Sequence, residues 1–320
     1  QYAKGINTLI PHAVWYNDKD VTFLPELSWR NELYRDSLPA FNKFLTRLNY
    51  ILQQEGRHVA DIAMLYPIES LQGEHVLDGS LGFYEGGIRI PNTDYVHVSA
   101  LLTDTLGRDF TYLHPEVLST KCDVKDGLLH LDNKINKEAF RLIILPGMKT
   151  ISLANLQKIA SFHQAGGSVI FTTQLPEKSV EPGKDGEVKK IINRMLSESS
   201  NRQSSSGKVF FIEKPAPEIL KEKLAACYEV PDVAFPDGQE LNYIHKMNGA
   251  QAVYYFANLK DRPYHAEVVL RGKITPVLLD PHTGRQTDVV YKHQLSHETE
   301  ITSVILSIEK NSSVFIVDGR

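Results

Sequence analysis

Arg141-Leu-Ile-Ile-Leu145, broken at Pro146-Gly147, is apolar on both faces. A strand that is hydrophobic at every position is covered on both sides, as a central strand of a parallel sheet is. C-terminal to it, Ser152 stands at an N-cap position, and Leu153, Leu156, Ile159, Ala160 and His163 line one side of a helix over 153–164. Gly166-Gly167 closes that helix, and Ser168 opens a strand ending at Thr172. A helix over 188–196, a serine-rich loop over 197–206, a strand over 208–212 and a helix over 217–228 continue the alternation. N-terminal to the central strand, Leu38, Phe41, Leu45, Leu48, Ile51 and Leu52 recur at spacings of three and four, an amphipathic helix over 38–54 capped by Gly56. A strand over 59–66 stops at Pro67. A glycine-rich stretch, a helix over 95–106 and a strand over 110–113 follow, and Asp126-Gly127 between Val124 and Leu128 predicts a hairpin. Strand and helix alternating at these intervals predict a doubly wound parallel sheet, flavodoxin-like in its order of elements.

After Pro231 the period changes from 3.6 to 2. Short strands over 243–246, 252–256, 266–270, 275–279, 288–291, 301–308 and 313–317, separated by turn residues, predict an antiparallel β-sandwich. The fold class is therefore α/β plus all-β, with the α/β domain over 36–234 and the sandwich over 235–320. The first 35 residues differ. Gly5-Ile-Asn-Thr-Leu-Ile-Pro-His-Ala-Val-Trp-Tyr16 reads as a buried strand over 6–10 emptying into an aromatic loop, with no partner strand in the next 20 residues. A lone strand is not stable, so 1–35 is expected to be the tail end of a larger unit.

The 320 residues are 42% hydrophobic and 23% charged, a globular composition that rules out disorder for most of the chain. With 35 basic against 39 acidic side chains the net charge is -4, which disfavours a general grip on nucleic acid or anionic membrane. No apolar stretch reaches about 18 residues, so no membrane span is expected. Two cysteines build neither a disulfide framework nor a cysteine-rich metal site. The chain opens at Gln1 with no leader before the first element, which leaves a signal peptide absent or removed and suggests a fragment.

Neither G-x-G-x-x-G nor G-x-x-x-x-G-K-[ST] occurs, so a dinucleotide is not expected and no cofactor is assigned. A doubly wound sheet still binds ligands beyond the carboxyl ends of its strands, where Tyr66, Glu69, His114, Gly147, Met148, Thr173 and Gln174 should gather. Ordinary strand-to-helix turns are the plainer account of them. A nucleotide enzyme with an unusual loop would place a phosphate at the helix beginning near Ser152. His293 and His297 fall at i, i+4, but in an extended segment they stand about 13 Å apart, too far to share a metal, and no metal site is predicted. His12, Trp15 and Tyr16 suit a sugar cleft: indole stacks on a pyranose face while imidazole and phenol reach its hydroxyls. Aromatic packing between domains accounts for them equally well.

Ile-Leu-Pro-Gly-Met-Lys149, followed by Ala-Gly-Gly-Ser-Val-Ile-Phe171, resembles class I glutamine amidotransferase-like domains. That chemistry needs a cysteine on a glycine-flanked elbow. Cys122 lies in Ser-Thr-Lys-Cys-Asp-Val and Cys227 ends a helix, so only the scaffold is expected.

The run from Gly5 to Tyr16 is also similar to the last barrel strand of bacterial glycoside hydrolases of the α-L-rhamnosidase type, glycoside hydrolase family 106 and its relatives. Tyr34-Arg-Asp-Ser-Leu-Pro-Ala-Phe41, Arg47-Leu-Asn-Tyr-Ile-Leu52 and His58-Val-Ala-Asp-Ile-Ala-Met-Leu-Tyr-Pro67 carry the same likeness. So do Tyr243-Ile-His-Lys246, Ala252-Val-Tyr-Tyr-Phe-Ala-Asn258 and Leu279-Asp-Pro-His-Thr-Gly284. The resemblance implies that 1–35 is a barrel remnant and that the catalytic carboxylates lie on earlier barrel strands, so no catalytic residue is assigned here. Glu26 and Glu32 follow the aromatic loop and read as solvated. It further implies a carbohydrate substrate bound through the parent protein, inactivity of this portion alone, and a periplasmic or secreted location. The other reading is a non-catalytic α/β module that binds a small ligand or forms homo-oligomers.

Overall fold

The computed structural model describes residues 1–11, 19, 27–54, 56–74, 93–132, 137–199 and 206–319. Five parallel strands, β1 (Ile62–Leu65), β2 (Phe110–Leu113), β3 (Leu142–Leu145), β4 (Ser168–Thr172) and β5 (Val209–Ile212), lie side by side in the order β2-β1-β3-β4-β5. Every residue of β1, β3 and β4 is buried, because helices cover both faces. On one face α4 (Pro115–Lys121), α5 (Leu153–Gln164) and α6 (Asp185–Ser199) bring Leu118, Leu156, Ile159, Val188, Ile192 and Met195 onto Ala63, Ile143, Val169 and Phe171. On the other, α3 (Tyr95–Ala100) and α7 (Pro217–Cys227) set Val98, Leu220 and Leu224 against Ile62, Ile144 and Ile170. Two further helices, α1 (Leu38–Leu52) and α2 (Ile68–Gly73), flank β1 in sequence. The hairpin at Asp126-Gly127 forms with both residues at positive φ (52° and 74°), and its strands Cys122–Lys125 and Leu128–Asp132 are joined by Lys137–Phe140 in a small antiparallel sheet.

The C-terminal part is antiparallel. Its strands are β6 (Leu241–Asn248), β7 (Gln251–Asn258), β8 (Tyr264–Arg271), β9 (Pro276–Leu279), β10 (Tyr291–Ser296), β11 (Thr299–Ile308) and β12 (Ser312–Asp318). One sheet runs Arg57–His58, β6, β7, β12, β9 and Gln286–Asp288; the other runs Val233–Ala234, β8, β11 and β10. Tyr243, Tyr254 and Phe256 of the first meet Val268, Leu270, Val304 and Leu306 of the second in one core. The opposite face of the first sheet carries α1, with Leu48 and Leu52 on Val253, Tyr255 and Phe315. β7 is therefore covered on both sides, which is why its apolar run does not alternate.

Several expectations need correction. Residues 6–10 form no strand: Tyr2–Lys4 is a 3₁₀ turn packed on β6 and β7, and Ile10 beyond it is 90% exposed, because no strand among the described residues pairs with this segment. The strand expected over 59–66 is shorter, and a separate short strand precedes it. Arg57–His58 pairs with Met247 and Lys246 of the six-stranded sheet, whereas only Ile62–Leu65 enters the parallel one. Gly56 does not cap α1, which ends at Leu52 with Gln53 as its C-cap. The strand over 288–291 likewise splits between the two antiparallel sheets. The helix over 188–196 extends to Asp185–Ser199, and the one over 95–106 widens into a π-helical turn at Leu101–Thr105.

Candidate functional site

The carboxyl ends of the parallel strands carry the residues singled out in the sequence, and three that were missed organise them. Asp94 precedes α3 but does not cap it. Its carboxylate accepts from the Gly147 amide after β3 and from the Thr173 hydroxyl after β4, each at 2.6 Å. Ser70 Oγ accepts from the Lys149 and Thr150 amides at 2.8 and 3.2 Å. Glu181 accepts from the Leu153 amide at 2.9 Å, beside Glu69, which accepts from Ser152 N at 2.9 Å. The rings of Tyr66, Tyr95 and Tyr112 meet edge to face with centroids 5.5 to 6.3 Å apart. His114 Nδ1 accepts from Glu116 N as the N-cap of α4, and Gln174 N bonds back to Thr172 O. Met148 is turned into the core. An acidic N-cap-type residue at Asp94 was the one visible signal; the partners across 53 and 79 residues of sequence had none.

This arrangement is closed. Burial raises the Glu69 carboxyl above its ordinary range, only partly offset by the Ser152 amide; burial acts likewise on Glu181, where the Ser179 hydroxyl and the Leu153 amide outweigh it and lower the carboxyl. The two carboxylates thus differ in proton affinity, but both are spent on the first turn of α5. They fill the anion seat at that helix N-terminus, so the phosphate expected near Ser152 meets two carboxylates instead of free amides. Neither cysteine supplies a nucleophile, because burial raises both the Cys122 and the Cys227 thiol to about 11.

A second constellation sits at the amino ends of the strands. Asp61, just before β1, receives Arg271 Nη1 of β8 at 2.8 Å and Arg141 Nε at 3.4 Å. Arg271 Nη2 lies 3.5 Å from Asp232, whose two oxygens accept from His245 Nδ1 at 3.0 Å. Burial opposes the Asp232 charge, but His245 and then Arg271 hold the carboxyl below its usual range. Beside it, His58 Nε2 donates to Asp109 at 2.7 Å. The Thr111 hydroxyl spends its hydrogen on Glu138 at 2.7 Å, so it accepts from His58 Nδ1 at 3.1 Å. Both ring nitrogens donate, which makes His58 an imidazolium. Burial would lower its pKa, but Asp109 and Glu138 raise it to about 10.

His58 and Asp109 also form one wall of an open cleft of about 710 Å³ between the first residues, the end of α1 and β6, with Lys4, Arg57, Lys137 and Lys246 among its lining. His12, Trp15, Tyr16 and Glu26 lie outside the described residues, and Glu32 is exposed. His293 Nε2 donates to Ile274 O, 2.8 Å away, whereas His297 pairs with Glu229 at 3.3 Å.

A comparison with curated proteins returns no match. Among solved structures, the chain is similar to a rhamnosidase from Novosphingobium sp. PP1Y, at 19% identity and a TM-score of 0.62 over 89% of this chain and 25% of that one. It is similar to a β-galactosidase from Bacillus circulans sp. alkalophilus at 12% identity and 0.57, over 90% and 45%. A GH42 β-galactosidase from G. stearothermophilus follows at 12% and 0.53, over 89% and 44%. These likenesses concern the fold, and the chain spans about a quarter of the rhamnosidase's length. The family of α-L-rhamnosidases, glycoside hydrolase family 106, matches residues 2–293, and the chain belongs to that family.

Proposed function

We propose that this chain is the non-catalytic, C-terminal accessory portion of a glycosidase that cleaves rhamnosides, inactive alone. The observation that carries the reading is the fate of the buried and half-buried carboxylates. Glu69, Asp94 and Glu181 are tied to backbone amides or a hydroxyl, and Asp61, Asp109, Glu138 and Asp232 to cations or a hydroxyl. Glycoside hydrolysis needs two carboxyl groups facing each other across a sugar, about 5 to 9.5 Å apart depending on stereochemistry. The carboxylates named here are instead engaged in holding the fold together.

In this reading 1–35 is a barrel remnant, with His12, Trp15 and Tyr16 completing a sugar subsite of the parent enzyme. The parallel sheet and its helices, within the 36–234 expected for it, form a flavodoxin-like domain, for which the order β2-β1-β3-β4-β5 speaks, on an amidotransferase-like scaffold without its nucleophile, while α1, Arg57–His58 and Val233–Ala234 pack with the antiparallel sheets. Residues 235–320 form a sandwich, supported by the core its two sheets share. Hydrolysis of p-nitrophenyl α-L-rhamnoside tests the proposal, measured on this chain and on a version extended upstream through a barrel. Turnover is expected only in the extended protein, and there Trp15→Ala should raise KM. Turnover by the 320-residue chain alone sinks the accessory role.

A further inference from the structure

We propose that the cleft between the first residues, the end of α1 and β6 binds an acidic saccharide, with Arg57 and Lys137 seating its carboxylate or sulfate. The inference rests on the carbohydrate reading above but concerns a different place from the aromatic subsite.

The first support is charge. Among the described residues, Lys4, Arg57, His58, Lys137 and Lys246 line the cleft, against Asp109 as the one acidic side chain. Asp109 is spent on His58, and Lys4 on Asp104 at 2.7 Å. Lys246 donates to the Leu52 and Gln54 carbonyls at 2.6 and 3.3 Å, which satisfies the end of α1 without neutralising the ammonium. Arg57 and Lys137 are exposed and meet no carboxylate among the described residues. Among the described residues, a chain carrying net charge -4 thus concentrates positive charge without carboxylate partners at Arg57 and Lys137 in one concavity.

The second support is shape and hydrogen-bonding chemistry. About 710 Å³ lies within the ~300–1,000 Å³ of small-molecule clefts and far exceeds the needs of a single inorganic ion. The walls carry amides suited to sugar hydroxyls. Gln54 has its side-chain oxygen engaged by Asn248 at 2.7 Å, which leaves its amide hydrogens, and Asn7 also lines the cleft. Backbone is fixed around them, because Arg57 and His58 pair with Met247 and Lys246 as a sheet edge.

Isothermal titration of the 320-residue chain decides the matter, with trigalacturonate, a sulfated disaccharide, neutral maltotriose and inorganic sulfate as separate probes. One or both acidic saccharides should bind, and the two arms show which acid is preferred. Affinity should fall roughly tenfold in Arg57→Ala/Lys137→Ala, fall with added salt, and return in Arg57→Lys/Lys137→Arg. Both side chains are exposed, so an unchanged thermal midpoint checks that the variants fold. Equal binding of maltotriose, unchanged affinity in the double alanine variant, sulfate binding as tight as either saccharide, or no binding overturns the proposal. If such a result accompanies rhamnoside hydrolysis by the extended protein, the cleft proposal alone falls; loss of that hydrolysis leaves the titration intact as a separate result.

Discussion

Asp94 joins the ends of two strands through a single carboxylate, since Gly147 follows β3 and Thr173 follows β4. Hydrogen bonds to an ionised acceptor contribute about 1.5–3 kcal/mol each, and their loss leaves a part-buried amide and hydroxyl unmatched. Asp94→Ala should therefore destabilise the chain by about 2 kcal/mol, read as a lower urea midpoint, with Asp94→Asn losing less. Thr173 pays for its place with a φ of +55°, a left-handed conformation that β-branched residues avoid. The two costs separate by substitution. Thr173→Ala loses the hydroxyl and keeps the strain, whereas Thr173→Gly loses the hydroxyl and relieves it. The glycine variant should unfold at the higher urea concentration of the two, and the reverse order would show that the strain is negligible.

Between Arg57–His58 and β1 the chain leaves an antiparallel sheet and enters a parallel one, and Asp61 at that crossing is held by Arg271 from the other antiparallel sheet. Three sheets are thereby fastened at one buried carboxylate. Removing Asp61 leaves the part-buried Arg271 guanidinium with Asp232, at 3.5 Å, as its only carboxylate contact among the described residues, at a cost of about 3 kcal/mol. Asp61→Ala should lower the thermal midpoint sharply, and Asp61→Ala/Arg271→Met should recover much of the loss, because no lone charge then remains; a double variant as unstable as the sum of the singles contradicts this. Such a crossing was not legible in the sequence. The run from Val59 to Tyr66 is apolar throughout except Asp61, and periodicity registers burial without telling which sheet does the burying. β3, α5 and the Asp126-Gly127 hairpin were legible because local chemistry decides them: a doubly covered strand, a serine cap, a primed turn. Residues 6–10 misled for the opposite reason. Their strand propensity is real, but a strand exists only through its neighbours, and these are not local. Of the candidate site, the positions at the strand ends could be named in advance, whereas Asp94, Ser70 and Glu181, which close it, act across long separations.

At the scale of the whole molecule, carboxylates occupy the first turn of α5 at the strand ends that usually receive a ligand, and among the described residues positive charge collects instead near the strands' amino ends, around His58. His58 also couples the fold to pH. It joins the edge of the six-stranded sheet to Asp109 and Thr111 near β2 and to Glu138 of the small sheet. Its pKa in the folded protein, about 10, lies above the ordinary 6.5. The folded state then binds the proton more tightly than the unfolded one. The stabilisation is fully present below about pH 6.5, declines above it, and is gone once pH passes about 10. Asp232 works in the other direction: its carboxyl is lowered, so its contribution holds above the ordinary 3.8 and disappears as pH falls below that value. Urea denaturation between pH 6.5 and 10 isolates the histidine if His58→Gln is compared with the unchanged chain, since tyrosines, lysines and cysteines titrate in both. The unchanged chain should lose stability more steeply, by up to about 1.4 kcal/mol per pH unit for one proton. Glutamine should be less stable at pH 6 and approach the parent by pH 10; parallel curves would mean that His58 carries no extra proton in the fold.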